Sequence, residues 1–194
     1  MSILLSMEIK KKKLSREKWL ELALEILIKE GNAKVRIDHL VKCLGVTKGS
    51  FYWHFKDRDD FIISLVEHWA QVSTPVVVEH VKQVQGRAEE RLLELMQFIV
   101  INDLTRYDIA VRAWALMEPQ VAHIVKKTDK RRLAYIRNLF AEMGFEENEV
   151  EMRALTLVTF HAMEHGLLIK KTEEERLELL QLRHAMLTRP VSKG

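Results

Sequence analysis

The sequence predicts an all-α protein, a three-helix N-terminal unit followed by a larger helical body, with about nine helices in all. Two observations carry this expectation. Apolar residues recur at three- and four-residue intervals along most of the chain, the spacing of one helix face. Seven Gly and three Pro in 194 residues are too few for a loop-rich or all-β chain. With 47% apolar and 30% charged residues, the composition is that of an ordinary globular protein with enough apolar surface for a sizeable core.

The first helix is expected over Leu14 to Glu30, with Trp19, Leu22, Ala23, Ile26 and Leu27 on one face. Ser15 is its N-cap and Gly31 its stop. A short second helix, Ile37 to Leu44, carries Ile37, Leu40, Val41 and Leu44. Gly45 then permits the left-handed backbone of a tight turn. Thr47 caps the third helix, Lys48 to His54. Helix, Gly-containing turn, helix is the helix-turn-helix plan.

Asp57 caps a fourth helix, with Asp59 and Asp60 in its first turn and Phe61, Ile62, Leu65, Trp69 and Val72 along it. Pro75 kinks it, and helical spacing resumes through Val81 and Val84 to about Gln85. The remaining helices are expected at Arg87 to Asn102, Asp108 to Met117, Pro119 to about Met143, Glu146 to Lys170, and Glu173 to Leu187 with Thr172 as N-cap. The tail from Thr188 to Gly194 is expected to be disordered. The domain boundary falls near Lys56, dividing residues 1–56 from 57–194.

The net charge of +3 is unevenly divided. Residues 1–57 hold 12 Lys and Arg against 7 Asp and Glu, a balance of +5, whereas residues 58–194 hold 19 against 21. A basic N-terminal unit suits a polyanion, whose counterions it would displace. One cysteine, Cys43, excludes an internal disulfide. Met1 to Met7 is apolar but too short for a signal sequence, and its positive charges follow rather than precede it. No window approaches the ~18 uninterrupted apolar residues of a membrane span. A cytoplasmic protein without a membrane partner is therefore expected.

The segment Val46 to Asp57 packs a helix start, small residues, aromatics and cations into three turns. Core helices are rarely so polar on one face, and solvated helices are rarely so aromatic. A helix pressed into a DNA groove needs both an apolar side that seats it and a polar side that reaches bases and phosphates.

Here the chain resembles the TetR family of bacterial regulators. The residues that carry the resemblance are Ala23 to Gly31, Asp38-His39-Leu40, Gly45 to Phe55, Asp57-Arg58-Asp59 and Phe61, about the first third of the chain. The resemblance implies a DNA-binding regulator, most simply a ligand-responsive repressor, that reads a near-palindrome as a homodimer. Its two recognition helices would lie roughly 34–36 Å apart. Carried over residue by residue, it implies that Thr47 caps the recognition helix and that Lys48 and Ser50 lie at its groove-facing start. Gly49 would let the backbone approach DNA, and Tyr52 and His54 would bond phosphates. Trp53 would meet bases, and Lys56 and Arg36 the backbone. Phe51 and Phe55 would anchor the helix from within. Val41 and Leu44 depart from the small residues usual in the second helix.

Dimer contacts are expected from the eighth and ninth helices as a four-helix bundle. Val150, Ala154, Leu157, Val158, His161 and Leu168 form one stripe, and Leu177, Leu180, Ala185 and Leu187 supply another. A small-molecule effector is expected in the body. Phe98, Trp114, Met117, Tyr135, Phe160 and Met163 are candidate lining residues, because flexible Met and flat rings suit apolar or planar ligands. Three rival readings stand beside this one. An enzyme built on Cys43 and His39, four residues apart, has no orienting acid or evident pocket, so no catalytic residue and no cofactor are assigned. A metal-responsive regulator could use His161 and His165 beside Glu164, with His123 or His184, but no third ligand is evident and no metal is assigned. A purely structural helical protein would show no salt-dependent DNA binding. Activation rather than repression is an alternative sense of regulation.

Overall fold

The structure, a computed structural model, describes residues 14–167, 169 and 171–190. Among the described residues there are ten α-helices and no strand. They are α1 (Arg16–Glu30), α2 (Ile37–Leu44), α3 (Lys48–His54), α4 (Arg58–Ser73), α5 (Pro75–Lys82), α6 (Ala88–Ile101), α7 (Asp108–Ala115), α8 (Pro119–Glu142), α9 (Glu147–Met163) and α10 (Glu173–Thr188). Short 3-10 turns cover Asn32–Lys34 and Glu164–Leu167.

Helix starts follow the side-chain chemistry of their caps. The Ser15 and Thr47 hydroxyls accept from the amides of Lys18 and Ser50. The Asp57 carboxylate accepts from the Asp60 amide at 2.8 Å. Thr172 and Glu175 form a reciprocal capping box. Gly45 adopts the left-handed conformation, φ 64° and ψ 31°, which turns the chain from α2 into α3.

The extra helix arises where a kinked continuation was expected. Pro75 lacks an amide hydrogen and does not extend the ladder, so Thr74 leaves helical geometry and Pro75 begins α5. The stretch Arg58–Lys82 is long and apolar enough to cross a membrane by length and composition, although polar residues interrupt it. Half of its most apolar window is buried. Two helices stop early. α7 ends at Ala115, leaving Met117 exposed. α9 ends at Met163 and tightens into a 3-10 turn at Gly166, where an added Cβ would lie 3.1 Å from Ile109 Cδ1. The expected run to Lys170 ends outside the described residues.

The described chain forms two compact units. One holds residues up to Trp69 together with Ala110–Val125, and the other holds Ala70–Ile109 and the chain from Lys126 onward. The first unit extends beyond Lys56 because the start of α4 completes its core. Phe61, Ile62 and Leu65 are buried. Trp19 meets Phe51 and Phe55 edge-on at 5.8 and 6.4 Å, and Phe61 meets the same two rings at 5.3 and 4.9 Å. Arg16 donates to Ser64 Oγ at 2.5 Å, tying α1 to α4. Arg58 lies 3.7 Å from Glu118 within the same unit.

The second unit is built on Val81, Leu92, Met96, Phe140, Ala154 and Leu180. Its most unusual member is the buried Arg153. Its guanidinium donates to the carbonyls of Leu187 and Arg189 and to Glu149, and it lies 3.9 Å over the Phe145 ring. Arg153 thus satisfies carbonyls that the end of α10 leaves without helical partners. Thr188 is helical and the Arg189 carbonyl is held, so order persists past the expected start of the tail.

Replacing Phe51 by Ala removes a fully buried ring that touches four others. Unfolding in urea, followed by circular dichroism, should show a loss of about 3–5 kcal/mol, whereas Tyr52→Ala on the exposed side should cost far less.

Candidate nucleic-acid interface and buried cavity

The third helix is two-sided. Phe51 is buried, as is Phe55 just past its end, and both rest on Trp19 and Phe61. On the other side Tyr52 and Trp53 are 56% and 70% exposed, a large cost in unburied ring surface for a helix facing only water. Trp53 therefore does not pack beneath α4. Thr47, Lys48, Gly49 and Lys56 are exposed, and Ser50 is half-buried. A Cβ added to Gly49 would meet nothing closer than Thr47 Oγ1 at 3.6 Å, so the helix start is open to an approaching partner.

Two cations beside this surface are already engaged. Lys48 Nζ lies 2.5 Å from Asp38 on α2, and this hydrogen bond raises the ammonium above the usual lysine value. The guanidinium of Arg36 donates to the Ala33 carbonyl at 2.8 Å. The Lys56 amide is held by the Asp60 carboxylate at 2.9 Å. His54 is half-buried with its Nε2 enclosed and without a hydrogen-bond partner, so a phosphate bond from this ring must come from Nδ1. These exposed groups offer hydrogen-bond donors, cations and flat rings on one short helix, the set that contacts phosphates, sugars and base edges.

The second unit contains a cavity of about 50 Å³. Its apolar wall includes Val77, Leu95, Ile136 and Leu157, and its polar groups are Ser73, Thr74, Thr105, Arg132, Tyr135 and His161. Arg132 is fixed there. It donates to Asp108 at 2.5 Å, to Thr74 at 2.9 Å and to Ser73 at 2.9 Å. His161 is 5% exposed; its Nδ1 faces Glu164 Oε2 at 3.8 Å, beyond hydrogen-bond distance, and its Nε2 has no hydrogen-bond partner. Burial pushes its imidazole below the usual histidine value, so the ring is neutral. Thr105 Oγ1 is likewise buried and unpartnered. Burial alone would raise the neighbouring Glu164 carboxyl. The facing His161 ring and the Arg176 guanidinium, 3.0 Å away, outweigh burial and hold it at about 2.

Of the six residues expected to line a pocket, Tyr135 does so. Phe98 instead stacks on His80 at 3.9 Å. Trp114 and Met117 belong to the other compact unit, the first buried and the second exposed. Phe160 is partly exposed beneath the Arg183 guanidinium at 3.7 Å, and Met163 is exposed. The lining residues that sequence reasoning missed sit up to 88 positions apart, from Ser73 to His161, and carry no common local signal.

The stripe expected at a dimer interface turns inward. Ala154, Leu157, His161, Leu180 and Leu187 are buried, while Val150, Val158 and Leu177 pack partly buried against the same core and Ala185 is half-buried. Leu168 lies outside the described residues. The opposite faces stay uncovered: Met152, Leu155 and Met163 on α9, and Leu179, Leu182 and Met186 on α10. The histidines considered for a metal do not share a site. His161 faces the cavity, His165 pairs with Asp103 at 3.0 Å, the His184 ring meets the Glu89 carbonyl at 3.0 Å, and His123 lies in the other unit.

Residues 20–65 match the family of bacterial regulatory proteins of the tetR type. The chain is 24% identical over 146 residues to the uncharacterized HTH-type transcriptional regulator YwcC of Bacillus subtilis (strain 168), a match covering 75% of this chain and 64% of that protein. It is 34% identical over 104 residues to the HTH-type transcriptional regulator AcrR of Shigella flexneri, covering 54% of this chain and 46% of that protein. The matches thus span about half to under two thirds of these relatives. A solved transcriptional regulator from Rhodococcus sp. Rha1 shares the fold, with a TM-score of 0.71 at 18% identity, covering 90% of this chain and 96% of that one. The N-terminal helix-turn-helix unit of the chain is thus similar to that of bacterial regulatory proteins of the tetR family, over residues 20–65.

Proposed function

We propose that the protein is a cytoplasmic transcriptional regulator that binds a palindromic operator as a homodimer and releases it when a small molecule occupies the second unit. The observation that carries the reading is the two-sided third helix, seated by buried rings and presenting Lys48, Tyr52, Trp53 and the following Lys56 outward. In this reading residues 1–56 hold the DNA-reading elements and 57–194 the regulatory and dimerising ones. Repression follows if the operator overlaps a promoter. Selection of bound sites from random duplex DNA tests the reading, with an inverted repeat as the expected product. Recovery of no sequence above background at low salt would overturn it.

The second copy seats on the uncovered faces of α9 and α10. Leu179, Leu182 and Met186 follow i, i+3, i+7 spacing, the signature of a helix seam, and exposing such a stripe to water is unfavourable. An effector in the cavity would be largely apolar with one hydrogen-bonding group, which His161 and Thr105 would satisfy. The present volume holds only water-sized occupants, so an effector must part the helices that line it. One of these is α4, which supplies Ser73 and begins at Arg58, four residues after α3 ends. A ligand that favours the parted arrangement lowers operator affinity by its differential affinity for the two states.

Lys56→Ala should weaken binding to all duplexes alike and reduce the salt dependence by about one unit of slope for each phosphate it no longer neutralises. Trp53→Ala should instead alter the preferred sequence. Leu182→Glu combined with Met186→Glu should convert dimer to monomer in sedimentation velocity while helical content is retained. His161→Leu should leave operator binding intact in mobility-shift titrations. It should raise the effector concentration needed for release by about tenfold, the worth of one hydrogen bond.

A further inference from the structure

Cys43, the one cysteine of the chain, is exposed on α2. Its Sγ lies 3.4 Å from Nε2 of His39, one turn earlier on the same helix. The same nitrogen lies 2.9 Å from Oε2 of Glu30, the last residue of α1. All three atoms lie within 4.8 Å of one another, and among the described residues no other His, Cys and carboxylate groups converge this way. The arrangement is overdrawn as a purely organic one. Without a metal, the ring nitrogen can donate to the carboxylate and leave the sulfur at most a weak share of that hydrogen bond, so the Sγ contact is poorly satisfied.

A metal ion resolves that poor fit by accepting a lone pair from each atom. Ligands of a tetrahedral zinc, at Zn–N, Zn–O and Zn–S lengths of about 2.0–2.3 Å, stand roughly 3.4–3.6 Å apart. The Cys43–His39 separation already matches this spacing, and Glu30 must withdraw by a few tenths of an ångström. We propose that Glu30, His39 and Cys43 form a binding site for a thiophilic divalent cation, zinc by preference, on the DNA-reading unit. Thiolate and imidazole select zinc over magnesium or calcium. One carboxylate and one thiolate neutralise the dication, and Cys43 releases one proton on binding. Three protein ligands leave a position open to water, so the ion is exchangeable rather than sealed in. Bound there, it crosslinks the end of α1 to the helix that leads through Gly45 into α3. The ligand set exists only when α1 and α2 are folded together, so the ion stabilises that pair.

The test uses the full chain, stripped of metal with a chelator and kept reduced with a phosphine rather than a thiol. The expected result is one zinc ion per chain in competition with a chromophoric chelator. Cobalt should give a thiolate-to-metal charge-transfer absorption, and zinc should raise the melting temperature. Cys43→Ser should abolish the cobalt absorption. Cys43→Ser and His39→Ala should each weaken zinc binding by more than about tenfold, the loss that even an outer-sphere defect can cause. Glu30→Gln should weaken it while leaving the thiolate absorption present. Both Cys43 and Glu30 are exposed, so these two variants should fold, as circular dichroism will check. A wild-type chain without the cobalt–thiolate absorption, or zinc stoichiometry and affinity unchanged in Cys43→Ser, would overturn the assignment. Neither result bears on operator binding, which is read separately.

Discussion

The contact among Trp19, Phe51, Phe55 and Phe61 governs the first unit. A seven-residue helix such as α3 has no stability of its own in water, because nucleation costs more than so few hydrogen bonds return. Its orientation comes from two rings on its inner side, held edge-on by one ring from α1 and one from α4. Edge-to-face geometry adds direction to burial. It therefore sets the angle at which Lys48, Tyr52 and Trp53 face outward as well as holding the helix in place. The core that seats the reader also decides where its outer side chains point.

Charge acts on a different scale. The N-terminal part carries the positive excess of the chain, yet the cation at the start of α3 is spoken for by Asp38. Both partners are exposed, so the pair contributes little to stability. Its effect is on availability: a phosphate must outbid a carboxylate that is already in place. In the proposed reading, long-range attraction toward DNA would come from the unit as a whole, while close engagement at the helix start would be conditional on an exchange of partners.

What could be read in advance divides along physical lines. Caps are local, and Ser15, Thr47, Asp57 and Thr172 each marked a helix start that the structure contains. The motif around Gly45 was equally readable, because its turn, cap and aromatics lie within a dozen residues. Periodicity finds apolar stripes but cannot choose between two of them. On α9 and α10 the stripe through Ala154 and Leu180 turned inward, and the one through Leu155 and Leu182 was left outside. The cavity was beyond local reading altogether, since Ser73, Thr105, Arg132 and His161 meet only through tertiary packing. The same holds for Glu30: the four-residue spacing of His39 and Cys43 is visible in the sequence, but their carboxylate partner appears only once α1 is laid against α2.

The small volume beside His161 has a kinetic corollary. A pocket with room for only a few solvent molecules cannot take a larger guest unless its walls move. In the proposed reading, entry of an effector would be gated by how often the surrounding helices breathe apart, and raising its concentration would speed capture only until that breathing sets the pace. Beyond that point, the association rate would reach a plateau characteristic of the protein rather than of the effector.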